Sequence, residues 1–376
     1  MRVLVVTHYF PEHGGGVEIA AHHIATGLKE RGHDIEWIAS REASGVPSAA
    51  PGAHPVRALN LSERLAGIPY PLWGPGALRA INQALGRCDV LHLHDTLYAG
   101  NVMAYMRAKR LAKPVLVTQH VGHVPYRSRV LSTAMEIGNR LIAARILAGS
   151  AAIVFYSRTT ENYFSRLVPE GARKIWIPNG LDTQLYRPLP EDERRRLRAD
   201  LGWPPDQPVL LFVGRFVEKK GMRILERLAF EFPGARWIFV GWGPCDPSSW
   251  KAPDVLNLGR RPQREIARLY QAADLLVLPS VGEGFPLVVQ ESMACGTPVV
   301  VSTEVADAHP GLRPMVWSAD PTFAAFCLLL RRLLADPERL VEHRHEAAAF
   351  ARREWSWEVC ADQYAELIRS LCRSGV

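Results

Sequence analysis

The sequence predicts an α/β protein made of two tandem domains, each a parallel sheet with helices on both faces. Three observations predict it. The chain has 376 residues, about twice the length of an ordinary domain. Its composition, 48% hydrophobic and 22% charged, is that of a packed globular chain and excludes disorder, collagen and coiled coil. A pattern of apolar strand, glycine loop and helix runs from the amino terminus and starts again near residue 208.

The elements follow in order. Residues 2–7 (RVLVVT) form an apolar run of strand length; Gly14, Gly15 and Gly16 make a loop, and residues 17–30 carry helical periodicity. Further strand-like runs lie at 34–39, 89–93, 114–118, 151–155 and 174–177, with helical segments between most of them. Strands apolar on both sides, alternating with helices, indicate a buried parallel sheet in a Rossmann-like layer structure. Residues 185–207 change character: Pro188, Pro190, Pro204 and Pro205, with Pro208 just beyond, flank EDERRRLRAD, which reads as an interdomain connection with a short solvated helix. Strands at 208–213, 235–240, 255–258, 274–278 and 298–301 then alternate with helices at 219–230, 263–272 and 287–294. The last part, 321–372, reads as successive helices broken at Asp336-Pro337 and around Trp355-Ser356-Trp357. The expected domains are therefore 1–185 and 186–356, with a final helix in 357–376 packing back on the first. Ligands of such sheets sit at the carboxyl ends of the strands, so two facing domains would place the site in a central cleft.

Charge is uneven. Residues 1–180 hold 20 Lys and Arg against 12 Asp and Glu, whereas residues 181–376 hold 25 against 26. All the excess positive charge lies in the first half, which suits an anionic partner for that half. Six scattered cysteines without a C-x-x-C pair signal neither a disulfide framework nor a zinc site. The apolar stretches are too short to span a bilayer, and no leader sequence is visible, so a reduced, cytoplasmic protein is expected.

The sharpest motif is Glu283-Gly284-Phe285-Pro286-Leu287-Val288-Val289-Gln290-Glu291, followed by Gly296-Thr297-Pro298. A helix beginning at Pro286 or Leu287 presents free N–H groups and a positive dipole end to the loop, which suits phosphate or sugar hydroxyls. A carboxylate in its first turns can accept two hydrogen bonds from vicinal hydroxyls. The other reading of Glu291 is a capping or salt-bridging surface residue. Arg215 and Lys220 follow the first strand of the second domain, where they can stabilise a diphosphate. Gly15 and Gly16 let backbone N–H groups approach a phosphate.

This string, with PEHGGGVE at 11–18, Arg31-Gly32-His33, Leu91-His92-Leu93-His94-Asp95, Pro178-Asn179-Gly180-Leu181-Asp182, the Gly214-Arg215 and Lys220-Gly221 pairs, and Gly241-Trp242-Gly243-Pro244, resembles glycosyltransferase family 4, the group 1 transferases of GT-B fold. The resemblance covers essentially the whole chain. It implies a retaining transfer from a UDP- or GDP-sugar to a hydroxyl of a lipid-linked or saccharide acceptor, in cell-surface polysaccharide or glycolipid assembly. It also implies that Glu291 binds the ribose, and that Glu283 with the amides of Phe285, Leu287 and Val288 holds the donor sugar, with Gly284 and Pro286 in the same loop. Pro286 stands where the family often has glycine, which removes one amide donor. Arg261 falls where the family's backbone meets the base. His120 matches the family's acceptor-side histidine, and Asp95 and Glu18 are further candidate contacts.

No D-x-D motif follows a strand, so Arg and Lys are expected to do the work of a metal ion, with no cofactor beyond the nucleotide-sugar substrate. Two stretches, 105–113 and 126–147, mix arginines and lysines with apolar residues and suggest docking on an anionic membrane face. A GT-B nucleotide-sugar epimerase is the alternative. Nucleic acid is not expected as a partner, because no recognition motif is present.

Overall fold

The computed structural model describes every residue except 41–47, 60–69, 121, 123–128, 284, 310 and 374–376. The chain forms two compact units, Met1–Gly180 with Trp357–Val376, and Leu181–Ser356.

The first unit is built on β1 (Arg2–Tyr9), β2 (Asp34–Ser40), β3 (Ala53–Val56), β6 (Val90–His94), β7 (Val115–Gln119), β8 (Ala152–Phe155) and β9 (Lys174–Trp176). A short antiparallel pair, β4 (Ala58–Leu59) and β5 (Leu72–Trp73), stands apart from it. The main sheet has the order β3-β2-β1-β6-β7-β8-β9, and every neighbouring pair is parallel. Val3, Leu4, Val5 and Val6 are all buried, as a strand covered on both faces requires. The helix Trp357–Arg373 lies against the helix Gly16–Glu30, tied by Arg31 Nε to Asp362 at 2.6 Å and by Arg31 Nη2 to the Glu358 carbonyl at 2.7 Å.

The second unit repeats the scheme with β10 (Val209–Arg215), β11 (Arg236–Trp242), β12 (Val255–Gly259), β13 (Leu275–Leu278), β14 (Val299–Ser302) and β15 (Trp317–Ala319), ordered β12-β11-β10-β13-β14-β15. All five pairs are parallel. Two parallel sheets alternating with helices are what the sequence predicts.

The structure differs from the sequence reading in three places. β3, β15 and the β4–β5 pair were not expected, because AHPV, WSA, AL and LW are short, and AHPV carries a proline that weakens a strand pattern. The helix expected over 219–230 is divided: a 3-10 turn, Glu218–Lys220, ends at Gly221, and the α-helix runs Met222–Glu231. Gly221 has φ +74°, and a Cβ there would lie 2.5 Å from the Pro279 carbonyl oxygen, so only glycine fits. The charged segment is the third difference. The helix Glu191–Asp200 is not solvated all round; it buries Arg194, Leu197 and Arg198.

Those arginines are buried because the helix Gln263–Ala272 ends beside them. Arg194 donates to the carbonyls of Ala272 and Ala273, and Arg198 to Ala272, Pro204 and Gln207. Both also pair with Asp274, whose Oδ2 accepts from Arg198 at 2.8 Å and from the Val209 amide at 2.8 Å. Cations at a helix carboxyl terminus satisfy orphan carbonyls and complement the dipole. Removing the one carboxylate leaves buried charge uncompensated, so Asp274→Ala is expected to cost about 3 kcal/mol of second-unit stability, read as a lowered urea midpoint. A midpoint within error of the parent protein would show that the carbonyls alone hold these arginines.

Candidate functional site

In the second unit, chain order brings distant motifs to one sheet edge. β10 ends at Arg215, and the 3-10 turn carries Lys219 and Lys220 away from it. The loop after β13 returns to the same place, because the Val281 amide donates to the Lys219 carbonyl at 2.8 Å. Lys220 Nζ then lies 2.9 Å from Glu283 Oε2, and Lys219 Nζ 3.6 Å from Glu283 Oε1. Lys220 and Glu283 are each about one-seventh exposed, so the pair is shielded yet reachable. Arg215 is exposed, and its side chain makes no hydrogen bond or ion pair among the described residues. A free guanidinium beside a shielded ammonium can bind two phosphates.

Glu283 is followed by Gly284, which lies outside the described residues. Pro286 caps the helix Leu287–Ala294, whose first internal bond runs from the Val289 amide to the Pro286 carbonyl. The amides of Leu287 and Val288 therefore precede the hydrogen-bonded ladder, as donors at a helix amino terminus do. Phe285 packs edge-on against Trp355, with centroids 5.1 Å apart, and 5.0 Å from His309. Glu304, which sequence reasoning missed, holds the same loop by accepting from the Gly282 amide at 3.0 Å.

Glu291 sits one helical face further in. Its Oε2 accepts from the Tyr270 hydroxyl at 3.1 Å. Burial raises its carboxyl above the usual range, and the hydroxyls of Tyr270 and Tyr186 beside it pull the other way. This is not a solvated surface carboxylate. Arg261, in contrast, is directed to its own neighbourhood: Nε donates to the Leu258 carbonyl at 3.0 Å and Nη1 to Glu265 at 3.3 Å. At the end of β11 the Arg260 guanidinium covers the exposed Trp242 ring at 3.7 Å, a flat cationic surface that only the fold could reveal.

In the first unit the corresponding edge carries Gly15, Gly16, Glu18, His8, His94, Asp95 and His120. Gly15 caps the helix Gly16–Glu30, and a Cβ on it would lie 2.2 Å from Glu18 Oε2; glycine makes room for that carboxylate. Nothing lies within 4 Å of a Cβ at Gly16, so its edge is open. Glu18 is buried and pairs with His8 Nε2 at 2.9 Å.

His120 follows β7 and is fixed at three atoms. Its amide donates to Asp95 Oδ1 at 2.8 Å, its carbonyl accepts from the Tyr156 hydroxyl at 3.0 Å, and its Nε2 shares a 2.9 Å hydrogen bond with His94 Nδ1. Asp95 has φ +63°, a costly conformation for a non-glycine residue. Asn101 holds it there by donating to the carbonyls of His94 and Asp95 at 2.7 and 2.8 Å. His92 pairs with Thr118 at 2.8 Å, and Thr118 with Tyr364 of the final helix at 2.9 Å. Burial pushes His92 and His120 down to about 3, and His94 well below the ordinary value, with neighbouring histidines adding to it for His94 and His120. His94 and Tyr156 were missed in the sequence; the alternation in Leu91-His92-Leu93-His94 marks a strand but not that both imidazoles face the interior.

Of the two basic stretches, Tyr126 and Arg127 lie outside the described residues, as do the side chains of Arg129 and Leu131. Ile146 is buried in the core. Met106, Leu111, Ile137, Leu141 and Ile142 are exposed, with Arg140 and Arg145 among them. Arg140 pairs with Glu136 at 2.9 Å. No helix of the described residues is long and apolar enough to cross a membrane.

Comparison with known proteins shows the family and the fold. Residues 14–185 match the family described as Glycosyltransferase Family 4, and residues 207–336 match Glycosyl transferases group 1. The chain is 28% identical to a D-inositol 3-phosphate glycosyltransferase of Segniliparus rotundus, over 96% of this chain and 86% of that protein. It is 30% identical to one of Acidothermus cellulolyticus, over 92% and 83%. Among solved structures, sucrose-phosphate synthase from Thermosynechococcus elongatus is similar at TM-score 0.72 and 21% identity, covering 100% of both chains. Anabaena HepE, solved with UDP, is similar at TM-score 0.71 and 18% identity, covering 98% and 99%. The fold class is GT-B.

The buried histidines make a pH prediction. In the unfolded chain they titrate near 6.5, while the native rings stay neutral down to about 3. Below pH 6.5 the unfolded state binds protons the native state refuses, so stability present above 6.5 is lost as pH falls toward 3. Urea unfolding of the first unit at pH 5 is expected to show a loss of about 2 kcal/mol for each such ring, roughly 4 kcal/mol for His92 and His120 together, against pH 7.5. Equal midpoints would mean that the rings take up protons in place.

Proposed function

The chain belongs to glycosyltransferase family 4, and from that premise we propose a retaining transfer from a UDP- or GDP-sugar to an acceptor hydroxyl, on a lipid-linked or saccharide acceptor. That it is a glycosyltransferase using a nucleotide sugar follows from the family itself. The observation that supports the donor assignment best is the 2.9 Å pair of Lys220 and Glu283 beside the free Arg215. Two motifs 63 positions apart meet there, at the carboxyl edge of β10 and β13.

The chemistry follows from charge. Without donor, Lys220 neutralises Glu283. A diphosphate carries more charge than one carboxylate and draws Lys220 toward itself, together with Arg215. Glu283 is then released to accept hydrogen bonds from the donor sugar, while the Leu287 and Val288 amides face it from the helix terminus. Glu291, buried against Tyr270, is suited to a neutral diol such as ribose. As the glycosidic bond breaks, charge grows on the departing phosphate, where the two cations lower its cost. Metal independence is part of this proposal.

His120 is held neutral, so it is a poor store for the acceptor's proton. The departing phosphate takes that proton on the same face of the sugar, which accounts for retention without a carboxylate nucleophile. His120 contributes a fixed ring beside the reacting hydroxyl. The relatives are glycosyltransferases, which leaves the epimerase alternative without support. Those relatives are named for D-inositol 3-phosphate, so a polyol phosphate is a second acceptor reading, favoured by that name alone.

The exposed apolar and basic side chains of the first unit support peripheral docking on an anionic inner membrane face, in polysaccharide or glycolipid assembly.

Calorimetry with UDP, GDP and ADP and their sugars, with and without EDTA, tests the donor site. One nucleotide should bind regardless of EDTA, and Arg215→Ala with Lys220→Ala should reduce turnover at least about a hundredfold. Glu291→Ala should weaken nucleotide binding by roughly tenfold or more. Unchanged turnover in the double variant rejects the diphosphate assignment. Sedimentation with vesicles containing anionic lipid should retain the protein, and Leu141→Glu with Ile142→Glu should release it; equal binding to neutral vesicles rejects the electrostatic part.

A further inference from the structure

The buried arginines of the second unit do not balance. Asp274 spends Oδ1 on Arg194 and Oδ2 on Arg198 and the Val209 amide. A third guanidinium, Arg344 on the helix Pro337–Trp355, is about nine-tenths buried beside them. It donates to the carbonyls of Ala273 at 3.0 Å and Gln271 at 3.2 Å, and no carboxylate lies within 4 Å of it among the described residues. Burial and the nearby Arg194 push Arg344 down to about 10. Arg194 Nε is buried with no hydrogen-bond partner among the described residues. Buried charges are ordinarily paired, because desolvation is otherwise too costly.

Beside this cluster lies a cavity of about 340 Å³, lined by Arg194, Gln207, Asp274, Leu340, Val341 and Arg344. It sits by the amino-terminal ends of β10 and β13, where Asp274 meets Val209, at the edge away from Arg215 and Glu283. We propose that this cavity is a binding site for a small oxyanion of the phosphate class, which supplies the missing counter-ion to Arg344. Guanidinium forks match an oxyanion's geometry and charge. The apolar wall of Leu340, Val341, Leu334 and Pro337 leaves room for a short organic body on the anion. The acids facing the site are Asp274, already engaged, Asp206 on the lining, and Glu191, whose Oε1 is 3.6 Å from Arg194 Nη1. Asp274 is shared by Arg194 and Arg198, which leaves Arg344 bonded to carbonyls alone.

This assignment does not depend on the transferase reading. Inorganic phosphate is the probe, titrated against chloride at matched ionic strength while thermal unfolding of the full chain is followed. At saturation the midpoint should rise by roughly 5 °C or more. The rise should survive in Arg215→Ala/Lys220→Ala and disappear in Arg344→Met. Because Arg344→Met risks misfolding, Val341→Glu is the second variant: it places a carboxylate three residues before Arg344 on one helix face. It should raise the midpoint without phosphate and abolish the response to it. A response that vanishes in the Arg215/Lys220 variant belongs to the donor site and overturns the proposal. So does a response that persists in Val341→Glu, or no response in the parent protein.

Discussion

A parallel sheet sends every strand to the same edge, and where its order reverses, two loops leave in opposite directions and open a crevice. In the first unit the reversal lies between β1 and β6, in the second between β10 and β13. Every candidate group except Arg261 is delivered by that constraint or packs upon it. His8 lies at the end of β1 with the glycine loop after it, and His94 closes β6 with Asp95 after it. Arg215 closes β10, and the loop to Glu283 follows β13. The sites need no special architecture. They need polar residues at the ends of apolar strands, and short connections that keep those residues close.

The two units handle buried polarity differently. In the second, opposite charges meet: Lys220 with Glu283, and Arg198 with Asp274. A pair of this kind is held by Coulomb attraction in a medium of reduced dielectric, and a ligand of higher charge can exchange for one member. In the first unit, the imidazoles of His92, His94 and His120 stay neutral and are fixed by hydrogen bonds to Thr118 and to each other. Neutral bonds of this kind exchange nothing; they set direction. Exchange suits a charged donor, and direction suits an uncharged hydroxyl.

Much of this was legible in the sequence because apolar runs and glycine loops mark strand ends locally. β1, β7 and β13 fall where VLVV, VLVT and LLVL place them. The glutamates 283 and 291 fall on a loop and a helix, as their spacing requires. What was not legible depends on partners distant in the chain. EDERRRLRAD has too few apolar residues to predict burial, yet Arg194 and Arg198 are buried because carbonyls of a helix some 75 positions later receive them. His94 looked like half of an alternating strand until His120 met it across β6 and β7. Lys220 looked like the start of a helix, but Gly221 beneath Pro279 breaks the helix and turns the lysine toward Glu283.

Asp95 shows why such a site is kept despite its cost. A left-handed aspartate is strained by about 1–3 kcal/mol and persists only where surroundings over-determine it. Here Asn101 binds its carbonyl, while its Oδ1 accepts from Gln119 Nε2 at 2.9 Å and from the His120 amide. The strain therefore secures one thing, the backbone position of His120, whose carbonyl Tyr156 fixes from the other side. Burial and the neighbouring histidines disfavour the charged form of the His120 ring, while the Asp95 carboxylate beside it is engaged by the His120 amide and by Gln119. Under the proposed transfer, a ring held in this way positions the acceptor rather than carries its proton.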